Sequence, residues 1–142
     1  MPQPVLEFLE VNFWPDTGVL VGRWLRAISP EESQQGYWHM LATAQAHACR
    51  RWLMDVRRRP RTDAATIRWL VDAFFPAAAR AMGGQVMLST LLAPSLLQEL
   101  AQNPALPGTD EPPGAPFRLG RFLTEHDALA WLQATPLAPA GR

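Results

Sequence analysis

Polar groups do chemistry when they converge, and the densest candidate in this chain is the run that starts at Asp55. Asp55 belongs to the short apolar segment Trp52-Leu53-Met54-Asp55-Val56, and Arg57, Arg58, Arg59, Arg61, Thr62 and Asp63 follow it. A short apolar run with a single carboxylate reads as a buried strand, and open α/β sheets bind ligands just outside the carboxyl ends of their strands. Guanidinium forks ahead of a helix N-terminus would hold an anion or a nucleotide through charge, backbone N–H groups and the helix dipole. Asp63, in the first helical turn, competes with any bound anion. The alternative is a solvated loop whose arginines pair with acids on neighbouring elements. Asp55 serves as a general base only where a second polar group converges on it.

Other chemistry finds little support. His39 and His47 are eight residues apart on one helix, about 12 Å by helical rise, too far for one metal ion. Cys49 reads as a small buried hydrophobe, and His126 as a surface residue at a helix start. Ser29, Ser33, Ser89 and Ser95 lack a glycine elbow. Gly83-Gly84-Gln85 stops a helix and lacks the glycine and lysine pattern of a phosphate loop. The expectation is a chain with no catalytic residue, no metal and no cofactor.

Composition narrows the class. The chain has 142 residues, 13 basic against 13 acidic, and one Cys. All the basic residues are Arg, so each cation is a planar, permanently charged fork. Zero formal charge excludes a nucleic-acid or acidic-lipid binder driven by net charge. A lone Cys excludes a disulfide framework and a Cys-based zinc site. No apolar run approaches the ~18 residues of a membrane span, and the start Met1-Pro2-Gln3-Pro4-Val5-Leu6-Glu7 does not read as a signal peptide. A soluble, cytoplasmic protein is expected: one domain over residues 1–134, then a disordered tail over 135–142.

The elements that must position Asp55 alternate along the chain. Val5 to Trp14 reads as a strand with a phase slip, and hence a bulge, at Phe8-Leu9. Pro15-Asp16-Thr17-Gly18 turns it, and Val19 to Leu25 makes the second arm of an antiparallel hairpin. Ser29-Pro30-Glu31-Glu32 has the pattern of a capping box with Pro at the first helical position. It opens a helix to about Ala48 that buries Tyr37, Leu41, Ala44 and Ala48. After the strand at Trp52, Thr62-Asp63 starts a second helix. Its stripe is Ile67, Leu70, Val71, Phe74, Phe75, Ala78 and Met82, with a kink at Pro76. Gln85 to Leu91 is a strand, Pro94 to Ala101 a short helix, and residues 103–116 a Pro-rich loop. Phe117 to Phe122 is the last strand, and Thr124 caps a final helix. The order β-β-α-β-α-β-α-β-α implies an α/β fold, a mostly parallel sheet entered through an antiparallel edge hairpin.

That order, with the ending Phe122-Leu123-Thr124-Glu125-His126-Asp127-Ala128-Leu129-Ala130-Trp131-Leu132, resembles the STAS domains, the anti-sigma-factor-antagonist fold. Leu53-Met54-Asp55-Val56 matches that family's apolar strand ending in Asp, and Asp63-Ala64-Ala65-Thr66 matches its Asp-Ser-Ser-Gly helix start. Ala64 stands where the family's phospho-switches carry the acceptor Ser. The resemblance spans roughly residues 5–133. It implies a STAS-like βα superhelix and a non-catalytic regulatory or protein-interaction module. It also implies that kinase switching at Ala64 is lost, with Thr62 and Thr66 the nearest hydroxyls. A superhelix that always steps the same way puts its crossover helices on one face, so the other face needs a cover. Trp14 and Trp24 are the candidate anchors of a homodimer or partner interface built on the hairpin, the alternative being rings packed internally. The competing function is anion or nucleotide binding by Asp55 and the Arg57–Arg61 loop.

Overall fold

The computed structural model describes residues 6–58, 64–95, 98 and 117–134. The elements are β1 (Leu9–Trp14), β2 (Val19–Trp24), α1 (Pro30–His47), β3 (Arg51–Asp55), α2 (Ala64–Trp69), a π-helical turn (Leu70–Phe74), α3 (Phe75–Met82), β4 (Val86–Leu91), β5 (Phe117–Phe122) and α4 (Glu125–Ala134). The strands form one sheet in chain order, β1-β2-β3-β4-β5. The β1–β2 pair is antiparallel, and β2–β3, β3–β4 and β4–β5 are parallel. This is the expected α/β fold with its edge hairpin. The expected helix at Pro94–Ala101, the loop at 103–116 and the tail at 135–142 fall largely or wholly outside the described residues; Pro94, Ser95 and Gln98 are helical.

Local chemistry explains the boundaries. The hairpin turn closes with Gly18 at φ 69° donating its N–H to the Trp14 carbonyl at 2.9 Å, a conformation that favours glycine. At α1 the capping box is complete. Glu32 N–H donates to Ser29 Oγ at 3.1 Å, and Ser29 N–H donates to Glu32 Oε1 at 2.9 Å. Ala48 ends α1 in the left-handed region and is exposed rather than buried, because it is the C-cap. The phase slip near Phe8 is a tight turn, not a bulge. Leu9 N–H reaches back to the Leu6 carbonyl at 3.4 Å, and both Phe8 and Leu9 are buried.

The second long helix departs most from expectation. Just before Pro76 it passes through a π turn. Phe75 N–H bonds the Leu70 carbonyl five residues back. Such a turn holds an extra residue relative to an α-helical one, and it shifts the phase of the apolar stripe. Leu70, Phe74, Phe75 and Ala78 stay buried, while Val71 swings out to 41% exposure.

Two cores result, one on each face. Leu20, Trp24, Trp52, Met54, Val86, Leu88 and Phe117 meet α1, the π turn and α3 on the first face. Val19, Val21, Leu53, Met87 and Leu91 meet Ala128 and Leu132 of α4 on the second. Crossovers that step one way place their helices together, and α4, which follows the last strand, covers the face they leave bare.

Trp24 lies inside the first core, 1% exposed, and stacks on Phe8 at 6.3 Å and edge-on to Tyr37 at 5.6 Å. Its ring fills the space beside Gly36, where a Cβ would come within 2.3 Å of the indole. Alanine at a helical glycine normally gains about 1 kcal/mol, but overpacking a filled core costs roughly 1–3 kcal/mol. Gly36→Ala is therefore expected to lower stability, by up to about 2 kcal/mol net. Urea denaturation at constant m-value is the check.

Candidate functional site

Asp55 is the last residue of β3, at the carboxyl end of the central strand of five. Alternation along β3 turns it to the same face as Leu53, the face that α4 covers. Parallel pairing sets Arg23 of β2 directly beside it. Glu125, the first residue of α4, comes in from above the sheet.

These groups close a network. Arg57 grips Asp55 in a bidentate fork, Nε to Oδ1 at 3.0 Å and Nη2 to Oδ2 at 2.8 Å, and its backbone N–H adds a bond to Oδ1 at 3.1 Å. Arg23 donates Nη1 to Asp55 Oδ2 at 2.8 Å and Nη2 to Glu125 Oε1 at 2.8 Å. Two guanidiniums meet two carboxylates, so the cluster is neutral. The four bonds to Asp55 fill the roughly four acceptor sites of a carboxylate.

The titration of Asp55 follows from its setting. Burial works to raise its pKa, but the bonds and charge from Arg57, and then the bond from Arg23, outweigh burial and hold the carboxyl below its ordinary range. Glu125 first, and Asp55 after it, favour the charged form of Arg23 against the cost of burial. The carboxylate is thus kept ionised, the state opposite to that of a general acid.

Of the sequence candidates, the structure brings Asp55 and Arg57 together and leaves Arg58 exposed. Arg59, Arg61, Thr62 and Asp63 lie outside the described residues. Arg57 spends its fork on Asp55. Thr66 is buried at 4% exposure and is no accessible acceptor for a kinase. The two tryptophans are not brought together. Trp14 faces Val19 across the hairpin and is half-buried against the second core, whereas Trp24 sits in the first. Trp24 is therefore corrected from a surface anchor to a core residue, because the face it occupies is the one that α1 covers. Among the described residues no group of three or more His, Cys, Asp or Glu could hold a metal ion, and no helix is long and apolar enough to cross a membrane.

The sequence reading missed Arg23, Glu125 and Trp38. Arg23 could have been found from its place near the end of a strand pairing with β3. Trp38 is 42% exposed and meets Trp69 edge-on at 5.7 Å and Phe74 at 5.0 Å. Its signal was positional: it follows Tyr37 by one residue, about 100° round the helix and off the buried stripe.

A folded pKa held below the unfolded value adds stability above the unfolded value, and that stability is lost as pH falls through the folded pKa. Asp55→Asn is expected to cost about 1–2 kcal/mol at pH 7, the part-exposed arginines limiting the loss. The gap from wild type should narrow below about pH 4, where the unfolded carboxyl protonates, and close as the folded one does. Urea midpoints measured from pH 7 to pH 2 test this. Against known proteins, no family model, curated protein or solved structure matches the chain.

Proposed function

We propose that this chain is a non-catalytic regulatory or protein-interaction module of STAS-like build. The observation that carries the reading is the closed state of the Asp55 cluster. The position where an open α/β sheet would present reactive groups is filled by a neutral network with every acceptor of Asp55 taken. Catalytic carboxylates need an open position and a pKa near the working pH, and Asp55 offers neither. Within the competing anion site, Arg57 is already committed to Asp55.

The surface gives the module something to bind with. Trp38 and Val71 are among the exposed large hydrophobic residues, and both belong to the helices that cover the first face. An indole that leans on buried rings while keeping much of its own surface open suits an interface anchor. The partner is a protein, with a second copy of this chain as one form of it.

The test compares wild type with Trp38→Ala, both shown to melt at similar temperatures. Each is used for affinity capture from the source cell and is screened for turnover against pooled metabolites. The expected result is a partner held by wild type, its affinity falling by about tenfold or more in the variant, as for a central interface Trp. Turnover that disappears in Asp55→Asn would overturn the reading.

A further inference from the structure

The two faces of the sheet are covered very unequally. On the first face α1 alone buries Tyr37, Met40, Leu41 and Ala44. On the second, α4 buries only Ala128 and Leu132 fully, with Leu129 and Trp131 partly packed. An alanine and a leucine are a thin footing for a helix. Beyond these two and the partly packed Leu129 and Trp131, the latter 5.6 Å from the Phe122 ring, α4 is held by polar bonds at its ends. Arg23 reaches Glu125 at the N-terminus, in a pair whose side chains are 28% and 41% exposed, and Arg51 Nη1 donates to the Leu132 carbonyl near the C-terminus.

The surface beneath α4 also carries a defect. Ser89 lies between Met87 and Leu91 on β4, so alternation turns it to the same face as they are. It is fully buried, and its hydroxyl has no hydrogen-bond partner among the described residues. Its register neighbours on that face are Leu53 and Gly120. Gly120 supplies no polar group, and the space beside it is taken by the rings of Phe122 and Trp131. A buried hydroxyl without a partner is costly, and it recovers its hydration when the cover lifts. The connection allows that motion: only Leu123 and Thr124 lie between β5 and α4, and Leu123 is 45% exposed.

From the thin footing, the polar end-fastenings and the orphaned hydroxyl, we propose that α4 is a detachable cover. It opens as a unit while the sheet and the first-face helices stay folded. Opening bares an apolar strip of Val21, Leu53, Met87 and Leu91, each 2% exposed or less when the cover is down. Local openings of this kind occur where buried apolar contacts are few. The inference stands apart from the Trp38 surface, which lies on other helices.

Amide hydrogen exchange on the full chain at pH 7, with a series of low urea concentrations, tests it. The α4 amides are expected to exchange at least tenfold faster than those of β3 and β4, with a much weaker dependence on urea. Ser89→Ala removes the defect without adding bulk and is expected to slow α4 exchange roughly fivefold or more, leaving α1 exchange relative to global unfolding unchanged. Arg23→Gln is expected to speed it. Exchange of α4 only through global unfolding would overturn the proposal, and so would a Ser89→Ala chain in which α4 exchanges as in wild type.

Discussion

The first-face core is organised round the ring of Phe74. That ring meets Tyr37 at 5.3 Å and Trp38 at 5.0 Å on α1, Trp69 at 5.5 Å on α2, Trp52 at 6.2 Å on β3 and Phe117 at 6.3 Å on β5. Aromatic pairs add about 0.5–1.5 kcal/mol each beyond the area they bury, so one side chain ties together elements far apart in the chain. Its placement depends on the π turn. Trp69 and Phe74, five residues apart, stack with their planes 27° from parallel. The same turn lies just ahead of Pro76, whose missing N–H would otherwise break the α-helical ladder. Relieving the proline, stacking the rings and turning Val71 to solvent are one local event. The exposure of Val71 is thus a by-product of how the core closes.

The second face is built by different means. Its strands carry Arg23 and Arg51 among the apolar residues, and both arginines face α4. Glu125, an acid of the first turn held by Arg23, and the Arg51 guanidinium on a carbonyl of the last turn match the two ends of the helix dipole. They fix the direction of α4 antiparallel to the strands. Apolar packing is less directional, and Ala128 with Leu132 would tolerate more than one orientation. Charge therefore supplies on this face the specificity that interlocking rings supply on the other.

Much of this was legible before any coordinates, where the signal is local. Ser29, Pro30 and Glu32 announce a helix start because capping is decided within four residues. Gly18 announces a turn because few other residues adopt its φ. The alternation of strands and helices announced a parallel sheet because hairpin-length connections cannot join parallel strands. The failures have a common cause. Periodicity at 3.6 residues per turn assumes an unbroken α-helix, so the π turn displaced Val71 from its expected place. Trp24 was given to the wrong face because strand alternation says which residues lie together, not which group a helix will cover. Asp55 was seen, but its partner Arg23 and, beyond it, Glu125 were not. They come from 32 residues before it and 70 residues after it, and only strand order brings them together.

The closed state of Asp55 also explains why a charged residue is tolerated at the end of a central strand. An unpaired carboxylate there would shed its charge, because burial penalises the ionised form. Sites that do acid–base chemistry exploit that tendency by arranging neighbours so that the pKa values of two groups move apart. Here the neighbours do the reverse. Arg57 comes from the loop that leaves β3, and Arg23 from the adjacent strand, and both stabilise the anion. Arg23 then spends its second nitrogen on Glu125 rather than pointing to solvent. Each charge of the cluster answers another charge of the same chain: Asp55 steadies its own loop, and through Arg23 it is coupled to α4 on the second face.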